Sequence, residues 1–104
     1  MNGQQIDGST SDVLNIGSLK DKFSSFGWEV VEIEKGNNME EIFNGMVKAK
    51  ELTKNHKPVV VLMKTIMGNG VDFMMHTHKW HGIAPDDEQL DLALSQNPET
   101  LGDY

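Results

Sequence analysis

The chain has 104 residues, a formal net charge of −7, no cysteine, and nine basic residues that are all lysines. This length suits one domain, and for this mass roughly 65% of the unfolded surface would be buried on folding. The negative balance and the lack of a guanidinium fork exclude a nucleic-acid binder, and the lack of thiols excludes disulfides, thiolate zinc sites and cysteine nucleophiles. No secretory signal pattern and no membrane-length apolar run is present, so the expectation is a cytoplasmic protein without a membrane partner.

In chain order, residues 1–17 carry Gly, Asn, Ser, Asp and Thr with scattered apolar residues and read mostly as loop. Ser18 is placed to cap a short helix with Leu19, Phe23 and Phe26 on one side and Gly27 as its stop. Trp28 to Glu34 alternates as a strand, with Trp28 and Val30 on one face and Val31 and Ile33 on the other. Asn38 and Glu41 have capping-box spacing, which predicts a helix from Met39 to about Lys54 with Met39, Ile42, Phe43, Met46, Val47 and Leu52 facing the core. Val59 to Met63 is an unbroken, β-branched apolar run and reads as a central strand covered on both faces. Strand, helix and strand in this order form a right-handed βαβ unit with parallel strands. A last helix follows Asp86 and Gln89, which repeat the capping-box spacing, and Pro98 ends it.

Two strands make a poor sheet. A segment as apolar as Val59 to Met63 needs neighbours on both sides, and the sequence offers one clear neighbour, Trp28 to Glu34.

The chemically useful residues cluster after the central strand. Gly68, Asn69 and Gly70 give a mobile backbone at its carboxyl end, where ligands of α/β sheets sit, but they lack the lysine and spacing of a phosphate loop. His76, His78 and His81 have a spacing that supports a metal; a polar loop with solvated histidines is favoured, since no cysteine and no well-placed carboxylate completes the set. His81 stands between Trp80, which can shield it, and Gly82, which permits close approach of a ligand. Asp7 and Gly8 beside Asn2 offer oxygens of the type magnesium prefers, although an Asp-Gly turn explains them as well.

Four blocks carry a resemblance: N-x-x-x-I-D-G at Asn2–Gly8, F-x-x-F-G-W-E-V at Phe23–Val30, K-P-x-x-x-x-x-K-T-x-x-G-x-G-V at Lys57–Val71, and W-H-G-x-A-P-x-D-E-Q-L at Trp80–Leu90. In this order they resemble the last third of the thiamine-diphosphate domain of transketolase, over essentially all 104 residues. The resemblance implies a fragment of the thiamine-diphosphate-binding α/β fold, with residues 1–104 as a single partial domain. It also implies a part in two-carbon ketol transfer between sugar phosphates, as in the pentose phosphate pathway, with thiamine diphosphate and Mg2+ as cofactors. By likeness, Asn2 and the Gln4 carbonyl are metal ligands, Ile6, Met67 and Gly68 meet the cofactor, and His81 reaches both the diphosphate and the reacting centre.

The departures are equally informative. The Gly-Asp-Gly segment that supplies the family's metal-binding aspartate is absent, and so is the pyrimidine-binding domain. Met67 and Asn69 stand where many relatives carry lysine, and His76 to Lys79 replaces a usually acidic stretch. The expectation is therefore a truncated or split piece, inactive alone, whose partners are the remaining transketolase domains or subunits. Two alternatives stay open: a non-catalytic module that self-associates through its sheet edge, and a small histidine metal-binding protein.

Overall fold

The computed structural model describes residues 1–97. A two-residue antiparallel hairpin, β1 (Gln4–Gln5) and β2 (Gly8–Ser9), leads into α1 (Thr10–Val13). Next come α2 (Leu19–Ser25), β3 (Glu29–Ile33), α3 (Met39–Leu52), β4 (Val59–Met63) and α4 (Asp87–Gln96). Short 3-10 turns occupy Thr53–Asn55, Asp72–Met74 and His78–His81. Pro98, the expected stop of α4, lies outside the described residues.

The βαβ unit is present: β3 and β4 pair in parallel, with Glu29 opposite Val59 and Ile33 opposite Met63. The Ser18 hydroxyl accepts the Asp21 N–H at the start of α2, and Phe23 packs edge-on against Trp28 at 5.5 Å, tying α2 to the head of β3. At α4 the capping box is complete, each of Asp86 and Gln89 accepting the other's backbone N–H. At α3 only half of it forms. Asn38 accepts the Glu41 N–H, but the Glu41 carboxylate takes the N–H of Lys35 in the preceding turn.

Four sequence expectations are corrected. Residues 1–17 do not lack strand and helix: Thr10 donates to the Gly3 carbonyl next to the β1–β2 hairpin, and Ser9 caps α1. The core face of α3 is only in part its large apolar stripe. Gly45 and Ala49 are the buried residues, against Val31 and Ile33; Ile42 and Leu52 are half-buried, Leu52 against the same core, while Met39, Phe43, Met46 and Val47 lie exposed. The reason is distance: a Cβ on Gly45 would come within 2.7 Å of Ile33 Cγ1, so only glycine fits where helix and sheet come closest. Nor is β4 covered on both faces, since among its residues only Leu62 is buried. Finally, Trp80 does not serve as a shield for His81: its indole donates to the Phe73 carbonyl at 3.0 Å and its ring packs on Phe73.

One edge of β4 is taken by β3. On the other, the Met1 nitrogen donates to the Met63 carbonyl and the Met1 carbonyl accepts the Thr65 N–H, a single parallel bridge at the strand's end. Among the described residues, Val59 and Val61 have no strand beside them on that edge. The result is a thin plate of 51 × 40 × 18 Å, with a radius of gyration of 17.2 Å where about 13 Å is usual for such a length. No described helix is long and apolar enough to cross a membrane.

Candidate functional site

A cleft of about 280 Å3 is lined by Asn2, Gln4, Gln5, Ile6, Met67 and His81. Two stretches far apart in sequence form its walls, and the sheet is what brings them together. The Met1 bridge to β4 sets Asn2 to Ile6 beside the carboxyl end of β4, and the chain leaving β4 carries Met67 past the same point. The start of that loop is fixed by the Asn37 side chain, which accepts the Ile66 N–H at 2.7 Å.

In the hairpin, Gly3 and Thr10 are a hydrogen-bonded pair, so by alternation the N–H and C=O of Gln4 point away from β2. The Gln4 N–H is taken by Asn2 Oδ1 at 3.0 Å, which sets the Asn2 oxygen and the Gln4 carbonyl along one edge. Two neutral oxygens side by side suit a hard cation. Ile6, 59% exposed, and the half-buried Met67 add apolar wall. His81 closes the 3-10 turn His78–His81 and is exposed, and a Cβ on the following Gly82 would meet nothing. Gly68 does not itself line the cleft. It holds a left-handed φ of +70° with the Met74 carbonyl where a Cβ would sit, 2.6 Å away, so only glycine fits behind Met67.

The other candidates fall elsewhere. His76 and His78 do not line the cleft, His76 taking a left-handed backbone at φ +59°. Among the described residues no three of His, Asp and Glu are arranged to hold a metal. Asp7 does not line the cleft either; its N–H donates to Gln5 Oε1. Gln5 is the lining residue that the sequence reading missed. Its only signal was its place inside the N-x-x-x-I-D-G block. A larger cleft, about 610 Å3, opens between the hairpin, α2 and the second face of the sheet, with Leu19, Leu62 and Ile16 among its walls. At its side Lys20 pairs with Glu32 at 2.6 Å, and this hydrogen bond, with the carboxylate's charge, raises the Lys20 ammonium above its usual 10.5.

Residues 1–98 match the family model described as transketolase, thiamine diphosphate binding domain. The chain belongs to this transketolase family. One of the subunits of the apulose-4-phosphate transketolase of Phocaeicola vulgatus is 34% identical over 96% of the chain and 34% of its own length. The 6-deoxy-6-sulfo-D-fructose transketolase subunit SqwG of a Clostridium species is 33% identical over 91% of the chain and 34% of its own length, and a Nostoc transketolase is 34% identical over 85% and 13%. This transketolase-family chain thus spans about a third of the subunit relatives and a smaller share of the Nostoc protein.

Set against a thiamine-diphosphate domain, the cleft fits the cofactor in part. It offers paired oxygens for a divalent cation, an apolar wall and an exposed histidine, but no carboxylate lines it among the described residues.

Proposed function

We propose that the chain is one component of a transketolase, transferring a two-carbon ketol unit between sugar phosphates in the cytoplasm once the missing parts of the site are supplied by other domains or subunits. Residues 1–104 are then a partial domain, inactive alone. The observation that carries this reading is the convergence of Asn2, Gln4, Ile6, Met67 and His81 on one cleft from segments some sixty residues apart. Support for partners comes from the names of the two bacterial relatives, both subunits, and from the surface: 7960 Å2 is exposed where ~5,800 Å2 is usual for a compact chain of this mass.

When bound, thiamine diphosphate supplies the electron sink for the carbon–carbon bond chemistry. In this reading Asn2 Oδ1 and the Gln4 carbonyl hold Mg2+, with a carboxylate from the missing region beside them. Ile6 and Met67 exclude water from the thiazolium, and Gly68 lets the backbone pass close enough to set Met67. His81 donates a hydrogen bond to a diphosphate oxygen or to the substrate oxygen on which negative charge develops. The substrates are anionic sugars, in keeping with the phosphate and sulfo groups in the relatives' names.

The test is reconstitution. Mixing the chain with an upstream fragment bearing Gly-Asp-Gly and with a pyrimidine-domain subunit is expected to yield ketol transfer that Asn2→Ala or His81→Ala abolishes. The chain alone is expected to show no micromolar binding of thiamine diphosphate with Mg2+ by calorimetry, since an incomplete carboxylate set costs several kcal/mol, on the order of a broken buried ion pair. Micromolar binding by the isolated chain, or a mixture indifferent to both substitutions, refutes the reading.

An open strand edge favours a second role, self-association of the chain through β4, which can precede assembly with partners.

A further inference from the structure

The 3-10 turn Asp72–Met74 touches the neighbours of both cleft residues carried by the loop. On one side the Met74 carbonyl packs beneath Gly68, next to Met67. On the other, the Phe73 carbonyl accepts the Trp80 indole N–H at 3.0 Å and the two rings stack edge-on at 5.2 Å, next to His81. The turn itself is pinned from α4. Gln96 Oε1 accepts the Asp72 N–H at 2.8 Å, and Asn97 Nδ2 donates to the Gly70 carbonyl at 3.3 Å.

We propose that Gln96 and Asn97 are positioning residues, which fix the Met67–His81 arm of the cleft at its distance from the Asn2–Ile6 arm. A capping role alone does not account for the pair. Asn97 Nδ2 also donates to the Ala93 carbonyl and so finishes α4, but Gln96 spends its side-chain oxygen on an amide 24 residues away. A shift of the turn moves Gly68 and Trp80 together, because a packed backbone carbonyl and an aromatic pair transmit displacement with little compliance. Two hydrogen bonds from the end of one helix therefore set both loop residues of the cleft. The proposal concerns the cleft's geometry, so it stands or falls apart from the ligand proposed above.

The absence of cysteine makes the test clean. Spin labels on Asp7→Cys and Lys79→Cys, both exposed positions, report the distance between the two arms. The otherwise unchanged chain is expected to give one narrow distance. Gln96→Leu combined with Asn97→Ala is expected to broaden it about twofold while the far-ultraviolet circular dichroism changes by no more than the last turn of α4, and Gln96→Glu, which keeps an acceptor, is expected to restore the narrow distribution. A narrow distance in the double variant, or a broad one in Gln96→Glu, overturns the proposal. If the double variant fails to fold, amide exchange in the unmodified chain decides: the Asp72 N–H is expected to exchange at least about tenfold slower than a random-coil amide, and an unprotected Asp72 overturns the proposal as well.

Discussion

Gly45→Ala sets two effects of known size against each other inside the core. In a helix interior, alanine is worth about 1 kcal/mol more than glycine. Here the added methyl would meet the Ile33 side chain, with Cγ1 at 2.7 Å and Cδ1 nearer still, and Ile33 is only 4% exposed. Forcing a methyl into such a site costs about 1–3 kcal/mol. The expected net result is a loss of about 1 kcal/mol, so a substitution that improves helix propensity destabilises the protein. Ile33→Val alone is expected to cost about 1 kcal/mol for the lost methyl. In the double variant the closest contact is gone although the Cγ1 position stays filled, so the two losses should not add; a coupling of about 1 kcal/mol in favour of the pair is expected. Urea unfolding followed by far-ultraviolet circular dichroism measures all four corners. If Gly45→Ala stabilises by the full helix term, or the two losses add within about 0.5 kcal/mol, the close approach of α3 to β3 through Gly45 is refuted.

Other expectations follow from the surface and the helix ends. Asp86→Ala removes the acceptor of the Gln89 N–H and half of the capping box, and is expected to cost about 1 kcal/mol of α4 stability, read as lost helicity. His76→Ala with His78→Ala is expected to leave stability within about 0.5 kcal/mol, with no zinc-dependent rise in melting temperature; a rise seen in the parent and lost in the variant would favour a histidine metal site. The Lys64 ammonium is raised above 10.5 by its hydrogen bond to Glu34 and then by that carboxylate's charge, so this pair's contribution is complete below about pH 10.5 and is lost as pH rises through the higher folded value. Lys64→Met should flatten that alkaline limb of stability, and an unchanged limb would show that the pair contributes nothing there. Light scattering of the purified chain is expected to show self-association that rises with concentration, from the open edge of β4 and the exposed Met39, Phe43 and Met46; a strict monomer with dispersed resonances counts against it.

The local signals in the sequence were sufficient for α2, β3, α3, β4 and α4, though not for the hairpin and α1 of residues 1–17. Ser18 and Asp86 bond the amides their positions predict, and the β-branched run at Val59 to Val61 forms a strand. These features depend on neighbours a few residues away, which is why they are legible without coordinates. The face that α3 buries was not legible. Of its apolar stripe Met39, Phe43, Met46 and Val47 lie exposed and Ile42 and Leu52 are half-buried, whereas the buried positions are Gly45 and Ala49, because contact between two backbones is limited by side-chain size and hydrophobicity patterns do not register size. The cleft divides in the same way. Family motifs named Asn2, Gln4, Ile6, Met67, Gly68 and His81 one at a time, but their relative placement, the participation of Gln5, and the pinning of Asp72 by Gln96 arise only when the Met1 bridge and the end of α4 fold back onto the loop after β4. None of these contacts belongs to a periodic pattern or a common supersecondary unit, so tertiary structure alone decided them.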